Sequence, residues 1–95
     1  MQLGKIAGTV VSTHKEQKLT GLKFHIVKFV DLNMKPTGGF VFAVDAVGAG
    51  VGELVLVAAG SSARQTAVTD AKPVDSVIMA IVDEVEIEGK TRYSK

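Results

Sequence analysis

Three glycines spaced two apart, Gly48, Gly50 and Gly52, followed by Glu53 and then by the run Gly60-Ser61-Ser62-Ala63-Arg64, form the stretch richest in candidate chemistry. A glycine-rich loop can cradle phosphate, and a serine on a sharp turn can act as a nucleophile. Neither pattern is complete. A Walker loop needs Gly-Lys-Ser/Thr after its spacer, where Glu53-Leu54 stands, and the dinucleotide fingerprint needs G-x-G-x-x-G between a strand and a helix. Here the spacing is G-x-G-x-G and the following run, ELVLVAA, reads as a strand. A nucleophile elbow needs G-x-S-x-G, and Gly60-Ser61-Ser62-Ala63-Arg64 lacks the last glycine. The two serines read as a helix N-cap, and Arg64 as a partner for Asp45, Glu53 or a neighbouring subunit.

The remaining polar groups point the same way. His14 and His25 lie eleven apart with no cysteine to complete a metal site, so they read as solvent-facing side chains, and neither a metal nor a cofactor is expected. Glu84, Glu86 and Glu88 alternate along one strand face and read as a solvated surface. Phe24, Phe29, Phe40, Phe42 and Tyr93 with interspersed lysines suit a barrel that stacks on single-stranded nucleic acid, the alternative function. Three of the phenylalanines, however, look core-facing, and the net charge is only +1.

These residues need elements to position them. Strand rhythm dominates: Lys5–Thr13, then Leu22–Leu32 with Phe24, Ile26, Val30 and Leu32 on its apolar face and Lys28 interrupting it. A turn at Asn33–Gly39 leads to a third strand, Phe40–Val47, and the apolar run Glu53–Ala59 predicts a strand buried on both sides. Ser61–Val68 predicts a short helix, and Val74–Gly89 one long strand, with Lys90–Lys95 a short strand or frayed tail. Five short strands with one short helix before the last long strand predict an all-β fold: a small, closed, five-stranded, OB-like antiparallel barrel.

Length and composition bound the rest. The 95 residues predict a single domain, residues 1–95, and the N-terminus shows no apolar span or signal sequence, so no membrane partner is expected and a cytoplasmic location is. Charge is mildly asymmetric, +3 over residues 1–47 and −2 over residues 48–95, short of a nucleic-acid footprint. Apolarity is more informative. The chain is 46% hydrophobic before its ten glycines are counted, with a mean hydropathy of +0.28. So small a domain cannot bury all of that, which predicts an oligomer.

GKIAGTVVSTHK, LTGLKFHIV, VDAVGAGVGELVLVAAGSSARQ and PVDSVIMAIVDEV, in that order, resemble the ethanolamine-utilisation/carboxysome vertex protein family of bacterial microcompartments. The resemblance runs from Met1 to about Val85, with no clear counterpart for the tail from Glu86. It implies an OB-like barrel, a homopentamer capping the vertices of a polyhedral shell beside hexameric shell proteins, and no enzymatic activity. On this pattern Gly48, Gly50 and Gly52 form a tight bend and Glu53 opens the buried strand. Gly60, Ser61, Ser62, Ala63 and Arg64 then form a helical connection near a subunit contact. Leu54 stands where many members carry tryptophan, and Ala80 where glycine is common.

Overall fold

A computed structural model describes residues 1–95. Seven strands follow one another: β1 (Gln2–Val10), β2 (Phe24–Val30), β3 (Pro36–Asp45), β4 (Leu54–Ala59), β5 (Ser76–Ile81), β6 (Glu84–Ile87) and β7 (Lys90–Ser94). The first five close into a barrel in the order β1-β2-β3-β5-β4, and β6-β7 form a separate ribbon. The barrel is all-β and five-stranded as the patterning predicts. It is not wholly antiparallel, because β3 and β5 run parallel through Val44↔Val77 and Asp45↔Ile78. Five is odd, so strand direction cannot alternate all the way round a closed ring, and one pair must be parallel.

Inside the barrel Ile6, Val27, Ala43, Ala49, Val55, Val57 and Ile78 form one core, with Phe29, Val41 and Ile81 packed against it. Outside it, Val44, Ala58, Ala63, Val74 and Val77 form a second core. This outer cluster is why β4 is buried on both faces, as its unbroken apolar run predicts. Gly4 admits the close approach of β1 to β2: a Cβ there would collide with Val27 and sit 3.1 Å from the Lys28 carbonyl oxygen.

Three expectations change. First, the inward face of β2 is His25 and Val27, not Phe24 and Ile26, because both faces of that strand are largely apolar and alternation alone does not choose between them. Second, Ser61–Val68 is not an α-helix but a 3₁₀ turn over Gly60–Arg64. The chain leaves it where Thr66 Oγ1 accepts the Thr69 N–H at 3.0 Å, a local bond that competes with helix continuation. Third, the long final strand ends at Ile81. Glu88 (φ 53°) and Gly89 (φ 80°) make a two-residue turn with both central φ positive, which folds β6 back onto β7 as a hairpin.

Candidate functional site

The glycine-rich bend between β3 and β4 is held from both ends by carboxylates. At its start, Asp45 Oδ1 accepts the N–H groups of Val47 (3.0 Å), Gly48 (2.9 Å) and Ala49 (3.2 Å). Its Oδ2 lies 3.1 Å from His25 Nε2, with both side chains almost fully buried. At the end, Glu53 Oε1 accepts the Gly50 N–H at 2.6 Å. The Gly52 N–H donates to the Ile6 carbonyl (2.8 Å) and the Ile6 N–H to the Glu53 carbonyl (3.0 Å), which extends the β1–β4 ladder into the bend. The backbone donors that a phosphate would need are thus already spent on side chains and backbone of this chain.

Electrostatics follow the hydrogen bonds. Burial alone would raise the Asp45 carboxyl, but the N–H groups of Val47, Ala49 and Gly48 together with the His25 ring hold it below its ordinary value of 3.8. The Lys95 ammonium and the Gly50 N–H lower the half-buried Glu53 carboxyl from 4.5. The same hydrogen bond from Lys95, at 2.6 Å, raises the Lys95 ammonium from 10.5. His25 is therefore not solvent-facing. It is 1% exposed, and its Nδ1 has no hydrogen-bond partner.

The expected site residues separate into two groups. Gly48 (φ 75°) and Gly52 (φ 91°) do make the bend, in backbone conformations that side chains disfavour. Gly50 lies in the same bend, its carbonyl accepting the Glu53 N–H at 3.2 Å, but its φ is not positive, and a Cβ there would meet only Glu53 Oε1 at an ordinary 3.5 Å, so glycine is not required. Glu53 stands just before β4 rather than in it. In the second group, Gly60 (φ 65°) turns the chain out of β4 and donates its N–H to the Asp75 carbonyl. The cap position is Ala59 and no side chain caps the turn, so Ser61 and Ser62 are exposed rather than N-capping. Ala63 is buried in the outer core, and Arg64 donates to the Val74 carbonyl at 3.1 Å instead of meeting Asp45 or Glu53. Of the departures, Leu54 is buried and Ala80 sits half-buried opposite Leu56.

No arrangement of these groups makes a nucleophile. Neither histidine bonds to a serine hydroxyl as a base, since His25 is committed to Asp45 and His14 contributes only its carbonyl, to Ser12. No three histidine, aspartate or glutamate side chains converge as a metal site. What the surface does offer is apolar. Phe40 and Phe42 are 58% and 56% exposed and meet edge-to-face at 5.7 Å on the outside of β3. They face out because β3 pairs Phe42 with Ile26 and Phe40 with Lys28, the outward row of β2. The β6–β7 arm pairs with no barrel strand, and an apolar groove lies at its base.

The polar groups of the bend are thus spent on the chain's own backbone, and apolar side chains, Phe40 and Phe42 among them, are left on the outside of the barrel. Residues 1–83 match the family described as "Ethanolamine utilisation protein EutN/carboxysome". The carboxysome shell vertex protein CcmL of Gloeobacter violaceus is 42% identical over 95 residues, all of this chain and 95% of its own length. Its solved structure superposes with a TM-score of 0.96, covering 100% of this chain and 98% of that one. The microcompartment shell vertex protein EutN of Salmonella typhimurium is 40% identical, over all of this chain and 96% of its own. The pentameric microcompartment shell protein GrpN of Rhodospirillum rubrum is 45% identical with a TM-score of 0.84, over 92% of this chain and 99% of that one. The chain belongs to the EutN/CcmL family. The alignment with CcmL runs through the tail from Glu86, which therefore does have a counterpart.

Proposed function

We propose that this protein is a structural subunit of a bacterial microcompartment shell, assembling into a homopentamer that closes the vertices. Family membership carries the reading, through relatives that are shell vertex proteins and one that is pentameric. The exposed apolar surface supports it physically, since a ring contact buries two different faces of every protomer. The work done is geometric. Six-fold units tile a flat facet, and a closed polyhedron needs five-fold units at its corners, so the partners are hexameric shell subunits and the location is the shell. No catalytic role is assigned, and the bend around Gly48–Glu53 serves to lock β3, β4 and β1 together.

Coexpression with facet-forming shell subunits tests this. Closed polyhedra are expected when the protein is present, and open or elongated shells when it is omitted. Closed shells in its absence, or failure to co-purify with them, contradict the vertex role. The nucleic-acid alternative has one observation in favour, Phe40 and Phe42 exposed beside Lys28. Stacking platforms of that kind work in a basic groove, and a net charge of +1 supplies no such field.

A further inference from the structure

We propose that the cavity between the end of β1 and the connection leading into β2 binds an amphipathic organic anion, a carboxylate or sulfonate head on a short alkyl or aryl body. The site lies within one protomer and stands apart from the assembly reading above.

Local structure builds the cavity. β1 pairs with β4 through Gln2–Lys5, and its far end pairs with β2, where Val10 stands directly opposite Phe24. Residues so paired share a face of the sheet. Just past them Val11 is 88% exposed. Glu16 accepts the Lys18 N–H at 2.5 Å and opens a 3₁₀ turn over Gln17–Leu19, after which Gly21 (φ 85°) turns the chain again. Leu19, Leu22 and Phe24 are half-buried against the outer core. Together with Val10 and Val11 they line a cavity of about 430 Å³. Small-molecule sites run to about 300–1,000 Å³, with apolar walls and a few polar groups, so the dimensions are those of a small ligand.

The charge on the walls has one sign. Lys15 and Lys23 line the cavity, and no carboxylate does. Lys15 Nζ donates to the Ser12 carbonyl at 3.1 Å, and the Ser12 hydroxyl donates to the His14 carbonyl at 2.8 Å. That ammonium is therefore held at the wall with two donors to spare. Neither lysine belongs to the chain's two ion pairs, His25–Asp45 and Glu53–Lys95. Between Val10 and Phe24 one acid, Glu16, stands against Lys15, Lys18 and Lys23, and its carboxylate is bonded to the Lys18 N–H. Two unpaired cations over an apolar floor select a ligand with both properties. Its head takes charge-assisted hydrogen bonds from the ammonium groups, and its body covers the valines and leucines. Inorganic phosphate has no body for that floor, and a neutral alcohol has no charge for the lysines.

The test titrates the purified, assembled protein with anilinonaphthalene sulfonate, a fluorescent anion of this kind, and displaces it with decanoate. One site per chain is expected, with amide shifts confined to Val10–Ser12 and Leu19–Phe24. Decanol and decyltrimethylammonium should displace the probe far less well than decanoate. Lys15→Gln with Lys23→Gln, both exposed side chains, should weaken decanoate at least about tenfold, as loss of a charge-assisted hydrogen bond does. Lys15→Glu with Lys23→Glu should reverse the preference toward decyltrimethylammonium, a readout that a merely structural role for the lysines would not move. No saturable probe binding overturns the proposal, as do decanol binding as tightly as decanoate, shifts centred elsewhere, or decanoate affinity unchanged in both double variants. So does a charge reversal that alters the number of chains in the assembly and leaves anion binding untouched, because the cavity then belongs to a subunit contact. A wild-type protein that is monomeric and still binds decanoate upholds the site and overturns the ring reading instead.

Discussion

Asp45 and His25, twenty residues apart and paired at 3.1 Å across neighbouring strands, join the barrel interior to the bend that follows β3. One oxygen of Asp45 holds the histidine and the other gathers three consecutive N–H groups. The carboxylate thereby fixes how the glycine-rich segment leaves the sheet. Its removal leaves the buried His25 ring and the buried Ala49 N–H without a partner, while the exposed Val47 and Gly48 N–H groups turn to water, and buried unpaired groups cost about 1–3 kcal/mol each before relaxation.

Asp45→Ala is expected to destabilise the protomer by about 3 kcal/mol or more, measured by urea unfolding, with the bend amides of Val47–Ala49 losing hydrogen-exchange protection. A loss below about 1 kcal/mol contradicts the role assigned to this carboxylate.

The pH dependence has a definite sign. The folded Asp45 carboxyl lies below its ordinary 3.8, so its contribution is fully present above that value and is lost as pH falls through the lower, folded value. Stability should decline on acidification below about pH 4, and Asp45→Asn should flatten that decline while lowering stability at neutral pH. An unchanged acid limb in the variant counts against the assignment.

Gly52 and Gly50 separate a required glycine from a permitted one. Gly52→Ala is expected to cost about 1–2 kcal/mol because φ is 91°. Gly50→Ala should cost under about 1 kcal/mol, since its φ is not positive and a Cβ has ordinary room. Equal losses at the two positions contradict the bend geometry.

Gly4 is required for a different reason. Gly4→Ala drives a methyl group into Val27 and toward the Lys28 carbonyl, so about 3 kcal/mol or loss of folding is expected on thermal or chemical denaturation. A neutral effect would mean that β1 and β2 can part without cost.

Much of this fold is legible in the sequence where one physical pattern has one reading. The run Leu54–Ala59 has no polar position, so it demands cover on both faces and receives it from the two cores. Closure follows from five short strands with little helix. The face of β2 is not legible in this way. Phe24, Ile26 and Val30 compete with Val27 and Phe29, and the choice is made by His25 turning inward to a carboxylate on another strand. The hairpin hides in a valine- and glutamate-rich alternation that reads as one strand, and its signal is Glu88-Gly89. Among the candidate site residues, the glycines that bend are visible only as a cluster. Which of them has positive φ depends on where Asp45, Glu53 and Ile6 pin the backbone, and those bonds are tertiary.

The assembly state tests the proposed role most directly. Native mass spectrometry of the purified protein at micromolar concentration should show a species of about 50 kDa, five copies of the 10.0 kDa chain. A stable monomer at that concentration contradicts the ring, and a closed ring of any other number contradicts the vertex.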